Sequence, residues 1–517
     1  MRFTSFFAFL RPLKAALARS DSGNRIFSPR SVFCVSFVAF FLLTLMWALS
    51  NPLTASPDEQ SHIKKAAATA YGQVFNSELL ADRMVSIPEF YHDVEAYTCN
   101  AFEPDLPISA CDLSRLTTKE HPDGWVTVPT PAARYNPLYY AAVGWPALIF
   151  HNATGVYLMR TLSGLLGSLF LAIGFRALRQ AKISAIGFIT ATGFITPMVP
   201  FLMSSVNPQA LEITAAFALW CELLLIIRAT PMSAVGPRMW LLAFIASAFT
   251  NSRGLTPFFL ALMVMGAVSL QPWNFSRRVI KNRRSWAPMA TIFIVTIVGS
   301  VWILTTGVLT SEEPPPDTAV TPRWLAIYTL RQTDTYLQQA IGSFGWLHAP
   351  LPLSLTAVFI AAGLCMLATI YAVASRRERF VVFSSLVLYA LVVPVALHAS
   401  QARTLGIMWQ GRYILPLLIG VPILAAFVLS EKVLPSTQVN HRLLRFWALL
   451  FGAVHAYSVI FEMHRQMLGI NGSWDLSESA WFPPIPLWLL ALVLSVVLYL
   501  LVVLFDRAPE NAENTTP

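Results

Sequence analysis

The chain has 517 residues, of which 56% are hydrophobic and only 12% charged. That balance excludes an ordinary soluble domain and indicates an integral membrane protein with many helices. The net charge of +9 does not indicate nucleic acid, because the basic residues sit in short clusters between apolar segments, as the positive-inside rule predicts.

In chain order, a basic stretch (1–30, with Arg2, Arg11, Lys14, Arg19, Arg25 and Arg30) precedes an apolar run at 31–50. The run is too long for a secretion-signal core and lacks a small-residue cleavage site, so a retained anchor is expected. Further spans are expected at 156–178, 183–203, 208–228, 287–308, 351–374, 380–398, 412–430, 443–461 and 485–505. Two shorter apolar helices, 238–250 and 255–270, meet at Asn251-Ser252-Arg253-Gly254 and bring the expected total to about twelve. The fold class is therefore an all-α polytopic membrane protein, its transmembrane domain covering 31–505.

Arg176, Arg179 and Lys182 form one basic cluster and Arg277, Arg278, Lys281, Arg283 and Arg284 another, followed by Arg376, Arg377 and Arg379, then Arg442 and Arg445. All four share the side of the N-terminus only if the short aromatic segment 137–151 lies along the membrane or re-enters it rather than crossing. Both termini, including the tail 506–517, are then cytoplasmic, and the long loops 51–155, 309–350, 399–411 and 464–484 are external. Glu312-Glu313-Pro314-Pro315-Pro316-Asp317 reads as a stiff solvated linker. With no phosphate-binding glycine loop, chemistry is expected outside, on substrates already activated.

The first external loop opens with Ser56-Pro57-Asp58-Glu59-Gln60-Ser61-His62. Ser56 suits a helix N-cap, Pro57 the first helical position and Glu59 the reciprocal capping position. Asp58 and Glu59 can both approach His62 one turn on. The motif is thus either a cap whose acids suit the helix dipole, or a catalytic base with a partner. The same three side chains could ligate a divalent cation, although no second ligand set accompanies them.

Cys99 and Cys111 share this loop and are disulfide candidates if it faces an oxidising compartment. Cys34, Cys221 and Cys365 lie in apolar segments and read as small hydrophobes. Arg253, Arg403 and Arg412 stand at expected external helix ends, where arginine either clamps a lipid phosphate or snorkels to the interface. Tyr413 follows Arg412, and Asn207 precedes Pro208 as a cap or contact. Trp346 reads as an interfacial aromatic, with His348 as a possible substrate contact. Glu212 and Glu222 are acids inside a span, and Glu222 is expected to pair with Arg228. Asn152, Asn471 and Asn514 open short glycosylation patterns.

Pro57-Asp58-Glu59-x-x-His62, Tyr135-Asn136-Pro137-Leu138-Tyr139-Tyr140, Ser205-Val206-Asn207-Pro208, Phe344-Gly345-Trp346 and Gly411-Arg412-Tyr413, in that order, resemble a family of bacterial membrane proteins of unknown function. That family is placed near the GT-C glycosyltransferases, polytopic enzymes that use polyprenyl-phosphate sugars. The resemblance covers 31–505 and implies a bacterial plasma-membrane enzyme of cell-envelope biosynthesis. Asp58 would be the base, with Glu59 as the alternative, and Arg253 and Arg412 would hold the donor phosphate. His62, Asn136, Tyr140, Asn207, Tyr413, Trp346 and His348 would line the site. Asn136 departs from the His or Lys of many relatives, and the chain carries no soluble domain after its last span.

The expected reaction is inverting transfer of a sugar from a polyprenyl-phosphate donor to an envelope polysaccharide or glycolipid hydroxyl, with no cofactor required beyond a possible divalent cation. Two other classes stand beside it: a flippase for lipid-linked sugars or other secondary transporter, and a non-catalytic envelope-assembly subunit.

Overall fold

A computed structural model describes residues 27–74, 82–117, 124–229, 231–271, 273–309, 320–433 and 437–509. The N-terminal arginines up to Arg25, the Glu312–Asp317 run, the Arg228 side chain and the Asn514 sequon lie outside the described residues.

Ten helices among the described residues are long and apolar enough to cross a membrane: Pro29–Ser50, Ala153–Gln180, Pro208–Ile227, Met232–Thr250, Arg283–Thr306, Leu353–Val373, Arg376–Ser400, Gly411–Lys432, Val439–Leu468 and Leu487–Arg507. The helix that starts at Pro208 is enclosed on all sides by its neighbours, whereas Arg283–Thr306 is mostly open at the periphery. Close packing on the central helix depends on small residues. A Cβ on Gly174 would meet the Phe217 ring at 2.4 Å, and one on Gly420 would meet the Trp220 indole at 2.1 Å.

One of the twelve expected spans takes another form. The segment 183–203 is two short helices, Ala185–Thr192 and Met198–Met203. The interruption runs over 193–197, where Pro197 has no N–H to donate to the preceding turn. This broken segment still runs the length of a span. Its start meets Ser430, whose Oγ accepts from the Ser184 N–H at 3.3 Å. Just past its end, Gln209 Nε2 donates to the Arg412 carbonyl at 2.9 Å. The other short helix, Thr256–Ser269, runs from the Arg253 junction to Ser269, whose carbonyl accepts from Arg377 Nε at 2.9 Å.

Arg179, Phe27 and Arg507 meet at one end of the bundle: Arg179 Nε donates to the Phe27 carbonyl, and the Phe27 N–H donates to the Arg507 carbonyl, each at 2.9 Å. Asp58 lies at the opposite end, beyond the C-terminus of Pro29–Ser50. There the first loop folds as helix Glu59–Ala70, an antiparallel strand pair (Met84–Pro88 with Trp125–Pro129) and helix Pro137–Gly144, which continues as a 3-10 turn to Leu148. Cys99 and Cys111 are joined by a disulfide, with their Cα atoms 5.6 Å apart.

The two loop helices touch at a glycine. A Cβ on Gly144 would stand 2.2 Å from the Ala66 carbonyl oxygen, a backbone atom that cannot step aside. Gly144→Ala is therefore expected to cost about 1–3 kcal/mol. It should lower the thermal midpoint of the detergent-solubilised protein; an unchanged midpoint would show that the helices have room to separate.

Candidate active site around Asp58

The helix that carries the motif begins two positions later than the capping pattern suggests. Its N-cap is Asp58, with φ +65°, and the Asp58 side chain makes no cap hydrogen bond. Instead of capping through its hydroxyl, Ser56 offers its carbonyl to the Glu59 N–H at 3.3 Å, closing a turn. Aspartate tolerates the left-handed region better than most residues, and such outliers cluster at functional sites. The consequence is directional: Asp58 and Glu59, adjacent in sequence, make separate sets of contacts.

Glu59 is fully buried in a two-pronged ion pair with Arg160, at 2.7 Å to Nε and 2.6 Å to Nη2. Its Oε1 also accepts from the Val206 N–H at 3.0 Å. Arg160 spends its other donors on the carbonyls of Ala48, Asn51 and Pro52, at 3.0, 3.1 and 2.8 Å. This knot ties the end of the first span to the broken segment. Both oxygens of Glu59, the alternative base expected from the sequence, are thus occupied by hydrogen-bond partners.

Asp58 has a different environment. Its side chain is 47% exposed, yet its Oδ2 accepts from Nη2 of the buried Arg412 at 2.5 Å. Arg412 is fixed by Gln410 Oε1 on Nε (2.6 Å) and Gln209 Oε1 on Nη1 (2.9 Å). Crowding by protein pushes the Asp58 carboxyl up, but the Arg412 guanidinium, with help from Arg253, holds it below the usual range. Asp58 is ionised near neutral pH.

Arg253 lies over the Tyr413 ring at 4.9 Å, and the Arg412 guanidinium lies 5.2 Å from the same ring. Arg253 also hydrogen-bonds Tyr135 and stands 3.7 Å from Glu212. Tyr135, Glu212, Arg253, Gln401, Trp409 and Tyr413 line a cavity of about 90 Å³. Two guanidiniums against one tyrosine ring make a cationic cluster beside a half-exposed carboxylate.

The remaining expected site residues divide between this cluster and its frame. His62 Nδ1 bonds the buried Tyr140 hydroxyl at 2.8 Å, and Tyr135 sits edge-on to its ring at 5.6 Å. Asn136 caps Pro137–Gly144 through the Leu138 N–H and donates to Asn251 Oδ1 at 2.9 Å. Asn207 donates to the Pro57 carbonyl at 3.3 Å, bracing the Asp58 turn. Trp346 donates to the Thr54 carbonyl at 3.3 Å, while His348 Nδ1 accepts from the Phe102 N–H at 3.1 Å, so these two belong to a neighbouring cluster. Glu222 pairs with Arg238, at 3.4 Å. Asn152 caps the helix Ala153–Gln180. Among the described residues no three His, Cys, Asp or Glu side chains converge as metal ligands, since Glu59 turns to Arg160 and His62 to Tyr140.

Arg160 and Gln209 were not among the expected site residues. A signal for Arg160 was present in the sequence: it is an arginine inside an apolar span, a rare and costly placement.

Burial, reinforced by Arg253 and Arg412 against the partial help of Asp58, pushes the His62 imidazole down to about 3. A histidine that stays neutral in the fold but protonates when unfolded makes stability fall as pH drops below about 6.5, by about 1.4 kcal/mol per unit. Wild type should therefore lose more stability between pH 6.5 and 5 than His62→Gln, measured by denaturant midpoints. Parallel losses would mean that His62 is not kept neutral.

Residues 41–421 match the model of a family described as predicted membrane protein (DUF2142). The chain belongs to that family. The DUF2142 match contains every residue gathered around Asp58, Glu59 and Arg412, whereas Val439–Leu468 lies beyond it. No curated protein and no solved structure matches the chain.

Proposed function

We propose that this DUF2142 protein is a membrane glycosyltransferase of the GT-C kind. In this reading it moves a sugar from a polyprenyl-phosphate donor to an envelope glycan or glycolipid hydroxyl on the non-cytoplasmic face of a bacterial plasma membrane. The observation that carries the reading is the half-exposed Asp58 carboxylate held at 2.5 Å by a buried arginine, with a second arginine across one tyrosine ring. Asp58 takes the proton of the acceptor hydroxyl. The acceptor oxygen bonds to the anomeric carbon as the bond from that carbon to the phosphate oxygen breaks, and the electron pair leaves on the phosphate, facing Arg412 and Arg253. A lipid phosphate drawn to Arg412 competes with Asp58 for Nη2, so donor binding restores basicity to the carboxylate that the arginine holds down.

A place for the lipid tail supports this reading. An apolar cavity of about 210 Å³ is lined by Leu337, Phe359, Leu367, Leu415, Ile419 and Pro422. It begins three residues past Arg412, beneath the helix Thr333–Gly342, whose Gln339 Oε1 accepts from the Gly411 N–H at 2.7 Å.

A second reading, a flippase for lipid-linked sugars, is favoured by one observation. Besides the junction at Arg253, the bundle has a second interrupted crossing at 183–203, and interrupted helices are common at transporter sites. One paired assay separates the two. Proteoliposomes carrying wild type or Asp58→Asn receive radiolabelled polyprenyl-phosphate sugars and envelope acceptor. Transfer by wild type, reduced about 10²–10⁴-fold in the variant at unchanged thermal midpoint, is the expected result. Equal transfer by both would remove Asp58 as base, and lipid crossing without transfer would favour the flippase.

A further inference from the structure

A second constellation lies beside the Asp58 turn. Phe102 is 67% exposed, although its backbone holds φ +64°. The facing hairpin tip, between Ser343–Phe344 and Ala349–Pro350, carries Leu347 at φ +66°. Two such outliers in facing turns hold a large ring out in the open. The Phe102 ring stands edge-on to Trp346 at 5.6 Å, and its N–H is tied to His348 Nδ1. Trp346 in turn holds the Thr54 carbonyl, four residues before Asp58.

Beneath the Phe102 turn is a fully buried guanidinium. Arg465 Nη2 donates to the carbonyls of Asn100 and Glu103, at 2.9 and 2.8 Å, while its Nε and Nη1 have no hydrogen-bond partner. Gln466 holds the layer together, donating to Glu462 Oε1 at 2.7 Å and accepting from Asn100 at 3.0 Å. Burial, with Arg465 adding to it, pushes His348 down to about 3, so the ring is neutral. Because its Nδ1 accepts, the proton is on Nε2, which also lacks a partner. Arg465 and His348 therefore leave three buried nitrogens, carrying four N–H bonds, without a partner, and each is costly to bury without an acceptor.

We propose that Phe102, Trp346, His348 and Arg465 form a saccharide-binding platform. The C–H face of a sugar ring lies on the aromatic rings, and hydroxyl oxygens enter the seam between the two turns to accept from Arg465 and His348. The aromatic surface argues for a sugar over a free anion, as does Glu462 one turn from Arg465, which offsets the local positive charge. That the bound glycan is the acceptor of the transfer rests on the function proposed above; the platform itself does not.

Saturation-transfer NMR on the full chain in nanodiscs tests this with tetrasaccharides of glucose, N-acetylglucosamine, mannose and arabinose. Saturable binding of at least one probe is expected, with the strongest transfer to ring C–H protons. Phe102→Ala should weaken it about tenfold, whereas Phe102→Trp, which restores a stacking surface, should keep it close to wild type. Arg445→Ala, at the far end of the bundle, should bind as wild type does. Absence of saturable binding, equal binding by Phe102→Ala, or displacement of the saccharide by inorganic phosphate would overturn the proposal. Binding that survives in a protein with no transferase activity would uphold the platform and refute only its assignment to the acceptor.

Discussion

Glu59→Gln is expected to destabilise the protein by about 3–5 kcal/mol, because it leaves the Arg160 charge buried without its counterion. The pair is dry: the side chains are 0% and 2% exposed. Arg160 also satisfies three carbonyls at the end of the first span, so its displacement would loosen the turn that presents Asp58. The loss should be read as a lower denaturant midpoint and a poor yield of folded protein. Arg160→Met should do similar damage, leaving an unpaired carboxylate and three unsatisfied carbonyls. The double variant Glu59→Met with Arg160→Met should recover only part of the loss, since removing both charges ends the electrostatic cost but not the carbonyl cost. If Glu59→Gln instead folds normally and loses transfer, Glu59 and not Asp58 is the base.

Arg412→Met should lower transfer by about 10²–10³-fold, the usual effect of removing a donor aimed at developing charge. It also carries a pH signature. In the wild type the charge of Arg412 keeps the Asp58 carboxyl low against the upward push of its crowded setting. Without Arg412 that push dominates, the carboxyl binds its proton at higher pH, and the acid limb of kcat/KM shifts toward neutrality. The linked effect on stability has the matching sign. A depressed Asp58 stabilises the fold above its unfolded pKa and loses that contribution as pH falls through the folded value, so the variant should be less sensitive to acid than wild type. Arg412→Lys restores charge without the planar fork that bonds Gln410, Gln209 and Asp58 together, and should rescue the pH limb better than the rate. An acid limb that stays in place in Arg412→Met would show that Asp58 does not set it.

The apolar spans could be read from the sequence because bilayer thickness imposes a length and a composition that survive any arrangement of neighbours. The same holds for the Asp58 motif and for Arg253 and Arg412, since charged residues at the ends of apolar runs have few places to go. The segment 183–203 misled for the converse reason. Its composition satisfies a span, and only packing against the helix Gly411–Lys432 shows how an interrupted helix covers the same length.

By itself, then, the sequence determined a polytopic helical protein with its acids, histidine and arginines at helix ends. The tertiary structure alone decided which of two adjacent carboxylates is buried and which is half-exposed. The left-handed backbone at Asp58 parts two neighbours that a regular first turn would have kept together. Each carboxylate then takes an arginine far away in sequence, Arg160 for Glu59 and Arg412 for Asp58. Local spacing carries no trace of either partnership, because both exist only where distant helices meet.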